Sequence, residues 1–162
     1  MLRFTSYDIV FQEIPNEVTL AINLSNCPNR CKGCHSAHLM RDTGEILNRD
    51  SLDELFGKYK NAITCICFMG GDAAPHEVES LSVYLRKQSE GKIKTGWYSG
   101  KKELPEGCSL NNFNYIKLGP YIERLGGLDS PHTNQRFYRI EENRMIDMTS
   151  CFQKPKNLRI QN

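Results

Sequence analysis

Three cysteines fall within eight residues, at Cys27, Cys31 and Cys34, directly after an alternating apolar segment. Thiolates hold zinc and iron–sulfur clusters, and their number decides what the metal can do. Structural zinc sites and simple electron-transfer 4Fe-4S clusters take four protein ligands, whereas three thiolates leave one metal position open. An open position means chemistry at the metal. The spacing alone also permits a zinc knuckle completed by His35, His38 or a distant thiol, or free thiols in a reducing compartment. A disulfide framework fits less well, because the cysteine count is seven and no secretory signal is read ahead of the motif.

The elements that must position these thiols can be read from periodicity. Val18, Leu20, Ile22 and Leu24 alternate with Thr19, Ala21 and Asn23, the period of a strand that ends just before Cys27. The thiol-bearing loop, about residues 25–36, is that strand's exit. Ser51-Leu52-Asp53-Glu54 resembles a capping box opening a helix that runs to about Tyr59, and Ala62 to Phe68 is β-rich and stopped by Gly70-Gly71. His76 to Gln88, after Pro75, carries Val78, Leu81, Val83 and Leu85 at mostly helical spacing. Ile93 to Tyr98 and Asn114 to Leu118 read as further strands, and Arg136 to Ile140 with Arg144 to Met148 as a terminal pair around Glu141-Glu142-Asn143.

This alternation predicts an α/β fold with a mainly parallel sheet. The cysteines, Gly70-Gly71-Asp72, Tyr98-Ser99-Gly100 and Gly119-Pro120-Tyr121 each follow a predicted strand, at the ends that carry ligands in parallel sheets and barrels. A full eight-unit barrel takes about 250 residues. At 162 residues the chain is expected to form one domain, residues 1–162, built as an incomplete (β/α) barrel with an open side.

Composition narrows the partners. With 39% hydrophobic and 25% charged residues the chain is ordinary for a globular domain, and 21 basic against 19 acidic residues give a net charge of +2. That charge provides no broad electrostatic footprint for nucleic acid or an anionic membrane. No apolar run approaches the length of a membrane span, so a cytoplasmic protein is expected, with cysteines used for metal or catalysis.

Cys27, Cys31 and Cys34 match the C-x3-C-x2-C signature of the radical S-adenosylmethionine superfamily, and Lys32-Gly33-Cys34-His35-Ser36 resembles the C-x-G-C-[HYN] form found in reductase activases. Phe68-Met69-Gly70-Gly71-Asp72 is similar to the second-strand Gly-Gly-Glu motif except in its acid, and Tyr98-Ser99-Gly100 to the third-strand Tyr-Thr-Gly of glycyl-radical activases. Leu118-Gly119-Pro120-Tyr121 and Thr133-Asn134-Gln135-Arg136 resemble the late Gly-Pro and Asn-Gln-Arg segments of the reductase group. From about Tyr7 to Phe152 the chain thus resembles the activating proteins of anaerobic (class III) ribonucleoside-triphosphate reductases.

The resemblance implies a 4Fe-4S cluster on Cys27, Cys31 and Cys34, with S-adenosylmethionine chelating the fourth iron. Reductive cleavage of that cofactor would give a 5′-deoxyadenosyl radical that removes a glycine Cα hydrogen from the reductase large chain, with reduced flavodoxin or a similar donor supplying the electron. It implies cofactor contacts from Gly70, Gly71, Asp72, Tyr98, Ser99 and Asn134. The change from Glu to Asp72 shortens that side chain by one methylene, and a turn or helix-capping Asp is the local alternative. Cys65 and Cys67 share a strand face and read as packing residues, while Cys108 and Cys151 have no partner motif. Two other functions stay open: activation of a different glycyl-radical enzyme, and a noncatalytic zinc or iron–sulfur module.

Overall fold

A computed structural model describes residues 1–153. It contains one eight-stranded sheet and two α-helices. The strands are β1 (Arg3–Val10), β2 (Thr19–Leu24), β3 (Glu45–Ile46), β4 (Cys65–Met69), β5 (Lys94–Tyr98), β6 (Tyr115–Leu118), β7 (Arg136–Glu141) and β8 (Arg144–Asp147). The helices are α1 (Arg49–Tyr59) and α2 (Pro75–Gln88). In space the strands run β3-β1-β2-β4-β5-β6-β7-β8.

The α/β class is as expected, but the sheet is not mainly parallel. The β2/β4, β4/β5 and β5/β6 pairings are parallel, whereas β3/β1, β1/β2, β6/β7 and β7/β8 are antiparallel. Each flank has a local cause. The β1–β2 connection is too short for a crossover helix and must return the chain antiparallel. At the other flank Glu142 and Asn143 both have positive φ, +46° and +62°, the backbone of a type I′ turn that closes the β7–β8 hairpin. Strand β1 was not predicted, because Thr5, Ser6 and Asp8 interrupt its apolar positions; a register irregularity between Phe4 and Ser6 accommodates the mismatch.

α1 starts one turn earlier than expected. Asn48, not Ser51, is the N-cap: its side chain accepts from the Ser51 amide, and the Ser51 hydroxyl accepts from the Asn48 amide. Ser51 is thus the third residue of the capping box rather than its first.

Both sheet faces are covered. Leu52 and Leu55 of α1 and Val78, Leu81 and Leu85 of α2 bury against Leu20, Ile22, Ile66, Phe68, Trp97 and Ile116. On the opposite face Ile14, Cys65, Cys67, Tyr115 and Phe137 form a second, smaller cluster. The period of two in β4 therefore sends its cysteines to one face and Ile66 and Phe68 to the other. Among the described residues no helix is long and apolar enough to cross a membrane.

Candidate functional site

The parallel strands β2, β4, β5 and β6 lie side by side, so their C-terminal ends open onto one edge. A cavity of about 210 Å³ sits there, lined by Cys27, Cys31, Cys34, Gly70, Asp72, Tyr98, Ser99, Gly100, Lys117, Tyr121 and Gln135 among others. Segments far apart in sequence meet because each is the exit of an adjacent strand.

The cysteine loop is held by its ends. The Asn26 amide donates to the Arg41 carbonyl at 2.9 Å and the Cys27 amide to the Leu39 carbonyl at 3.0 Å, which closes the loop across its base. Asn26, Arg30 and Gly33 have positive φ and turn the chain so that all three thiols line one cavity. Gly33 has φ of +76°, the left-handed region that favours glycine, and the Glu123 carboxylate of the β6–β7 connection lies beside it. The three thiols are free and partly exposed.

Their separation bears on what they can bind. A tetrahedral zinc with Zn–S near 2.3 Å brings sulfur atoms to about 3.8 Å from one another. Among the described residues the three-membered ligand group drawn within 4.8 Å is His76, Glu79 and Cys108, and not Cys27, Cys31 and Cys34. His35 and His38 are exposed, and His35 packs against Tyr121 with ring centroids 5.5 Å apart.

Asp72 is 8% exposed and is held by the segments around it. Its Oδ1 accepts from the Ser99 hydroxyl at 2.6 Å, and its Oδ2 accepts from the Gly100 amide at 2.8 Å and from the Asn29 side-chain amide at 2.6 Å. The Asn29 amide also lies 3.6 Å from Cys27 Sγ, so one side chain links the thiol loop to the carboxylate. The capping alternative does not hold: the α2 N-cap is Ala74, with no side-chain cap. A carboxylate oxygen can accept from two donors, and Oδ1, with one, keeps an acceptor position.

Sequence reasoning missed Lys117, an 8% exposed lysine on β6. Its ammonium donates to the Gly119 carbonyl at 2.8 Å and the Ser99 carbonyl at 3.3 Å. Burial lowers its pKa to about 8, against the opposing pull of Asp72, Cys31, Cys27 and Cys34. The signal available in sequence was a lone lysine inside a four-residue apolar strand.

Of the other expected contacts, Gly70, Tyr98 and Ser99 line the cavity, whereas Gly71 and Asn134 do not. Gly70 lines the cavity, with φ of +106°, but Gly71 does not. A Cβ on Gly71 would lie 2.5 Å from Val78 Cγ2 and 2.9 Å from Leu24 Cδ1, so this glycine serves the close approach of α2. The Tyr98 hydroxyl donates to the Glu13 carbonyl, which commits its polar end away from the cavity. Ser99 is fully buried and serves Asp72. Asn134 lines a neighbouring cavity of about 280 Å³ with Pro120 and Arg136, donating to the Pro120 carbonyl at 3.0 Å, while its neighbour Gln135 lines the thiol cavity.

Compared with known families, curated proteins and solved structures, the chain matches none of the three.

Proposed function

We propose that the chain is a radical S-adenosylmethionine activating enzyme that generates a glycyl radical on anaerobic ribonucleoside-triphosphate reductase. The observation that carries this reading is one cavity wall presenting three free thiols, a buried carboxylate and a buried ammonium. Such a donor set suits a 4Fe-4S cluster with an open iron beside a zwitterionic amino-acid group. Cys27, Cys31 and Cys34 would hold the cluster. Asp72 Oδ1, with its remaining acceptor position, would receive the cofactor's ammonium, and Lys117 would donate to its carboxylate. Leu24, Leu39 and Met69 line the same cavity and would exclude water from the reacting atoms.

A cluster held by Cys27, Cys31 and Cys34 would, once reduced, supply the one electron needed for cleavage of the sulfonium–C5′ bond, and with it the hydrogen-abstracting power directed at the partner's glycine Cα. In this reading β2, β4, β5 and β6 with α2 form the incomplete (β/α) barrel, and its open side admits the glycine-bearing loop of the reductase large chain. The electron donor is reduced flavodoxin or a protein like it.

Anaerobic reconstitution with iron and sulfide, followed by reduction with S-adenosylmethionine, should release 5′-deoxyadenosine. Adding the cognate reductase should then produce a carbon-centred EPR doublet that collapses to a singlet when glycine carries deuterium at Cα. Cofactor cleavage with a doublet insensitive to that label would reject glycine. Absence of cleavage in a fully loaded protein would leave a noncatalytic metal module.

A further inference from the structure

A second group of metal-binding side chains lies outside the thiol cavity. His76 and Glu79 stand one turn apart at the start of α2, and Cys108 approaches them from the β5–β6 connection. One ligand atom from each falls within 4.8 Å of the others. Cys108 Sγ is 3.7 Å from His76 Nδ1, and His76 Nδ1 is 4.0 Å from Glu79 Oε2. A tetrahedral zinc with Zn–S near 2.3 Å and Zn–N near 2.05 Å places those two ligand atoms about 3.6 Å apart. The sulfur–nitrogen distance already matches, while His76 Nδ1 and Glu79 Oε2, at 4.0 Å, must draw closer to share the ion.

The surroundings are those of a ligand set. Glu79 Oε1 accepts from the Ser109 amide at 2.6 Å and from the Asn112 side-chain amide at 2.8 Å, which orients the carboxylate and leaves Oε2 toward His76. Ligating carboxylates are characteristically fixed by such outer hydrogen bonds. Gly107 has φ of +82°, and a Cβ there would lie 3.1 Å from the His76 ring, so a glycine at this position lets the loop bring Cys108 beside the imidazole. The mixed nitrogen, oxygen and sulfur set favours zinc over magnesium or calcium, which take oxygen ligands.

We propose that His76, Glu79 and Cys108 bind a single zinc ion that clips the β5–β6 connection to the first turns of α2. No other His, Cys, Asp or Glu among the described residues joins the group, so the fourth position falls to water, and the site departs in this from the four protein ligands usual in structural zinc. The clip has a defined place in the fold: the same connection begins with Ser99 and Gly100, which grip Asp72 just ahead of α2. The metal would fasten the far end of a connection whose near end is already fastened. None of the three ligands lines the thiol cavity, so the proposal does not rest on the cluster reading.

The test uses the full chain after iron and sulfide reconstitution, exposed to zinc and then gel-filtered. Elemental analysis should find one zinc per chain, lost in Cys108→Ser and in His76→Ala with iron content unchanged. His76 is largely exposed, so its variant stays informative if the cysteine variant folds poorly. Cobalt in place of zinc should give a thiolate charge-transfer band that disappears in Cys108→Ser. Asn112→Ala, which frees Glu79, should weaken zinc binding by about 10- to 100-fold. No retained zinc in the wild type, or zinc retained equally in both ligand variants, would overturn the proposal.

Discussion

Lys117 and Asp72 give the thiol cavity its polarity, and they do so at different energetic cost. Asp72 receives three donors, so its charge is compensated within the fold. Lys117 donates to two neutral carbonyls, and burial drives its pKa from 10.5 to about 8. That depression corresponds to a penalty on the order of 3 kcal/mol for keeping the ammonium charged in the fold. Because the folded pKa lies below the unfolded value, the unfolded chain binds more protons between about pH 8 and 10.5, and the Lys117 contribution to stability rises across that window. In cluster-free protein the urea midpoint of wild type should therefore gain on that of Lys117→Met as pH rises from 8 to 10. Retaining a costly charge implies a use for it, as functional sites commonly trade stability for chemistry. In the cluster-loaded protein Lys117→Met should weaken S-adenosylmethionine binding by about ten- to a hundredfold, the loss of a charge-assisted hydrogen bond. Equilibrium dialysis with iron-matched samples would measure it, and unchanged affinity would remove Lys117 from the proposed cofactor contacts.

Strands and helices set how closely the site's backbone can pack. The Gly70-Gly71 pair divides its work: Gly70 faces the cavity and Gly71 lets Val78 of α2 and Leu24 of β2 close over the strand end. Gly71→Ala meets both side chains and a positive φ of +91° together, and should destabilise the fold by about 1–3 kcal/mol. Combining it with Val78→Ala should give less than the sum of the single losses, because the second change removes the nearer contact. Additive losses in chemical denaturation would mean that backbone strain, not the α2 contact, fixes this glycine. The Asn48-Ser51 capping box lies on the opposite side of the motif problem: Ser51 was visible in sequence as a cap residue, but its role depended on which residue preceded the helix with extended backbone.

Across the whole molecule, two polar groupings lie at opposite ends of the parallel strands. The C-terminal ends of the parallel strands carry the thiols, Asp72 and Lys117. Their N-terminal ends carry a polar clamp around Glu17, which precedes β2. Its carboxylate accepts from Thr64 ahead of β4 at 2.5 Å, from Lys94 at the start of β5 at 2.7 Å and from Tyr115 at the start of β6 at 2.8 Å. Burial pushes the Glu17 pKa up, but the bonds from Lys94, Thr64 and Tyr115 outweigh it and hold the pKa below 4.5. A depressed folded pKa contributes stability above the unfolded value and loses it as pH falls through the folded one. Glu17→Gln should therefore be less stable than wild type at neutral pH, with the gap closing on acidification below about pH 4.5. A constant gap across that range, by thermal melts, would assign the loss to packing rather than charge.

The sequence by itself determined the central strands, both helices and the thiol loop, because each rests on local information: period-two alternation in residues 18–24, helical spacing in 76–88, and cysteine spacing at 27, 31 and 34. It also placed Asp72, Ser99 and Gly100 at strand exits, though not the bonds among them. Only tertiary structure decided which glycine faces the cavity and that Gln135 rather than Asn134 does. It likewise decided the antiparallel flanks, since strand direction follows from where a connection returns and not from the strand's own residues. Lys117 and the His76-Glu79-Cys108 group were illegible for the same physical reason. Their meaning is set by burial and by neighbours distant in sequence, and neither quantity exists until the sheet has brought its strand exits together.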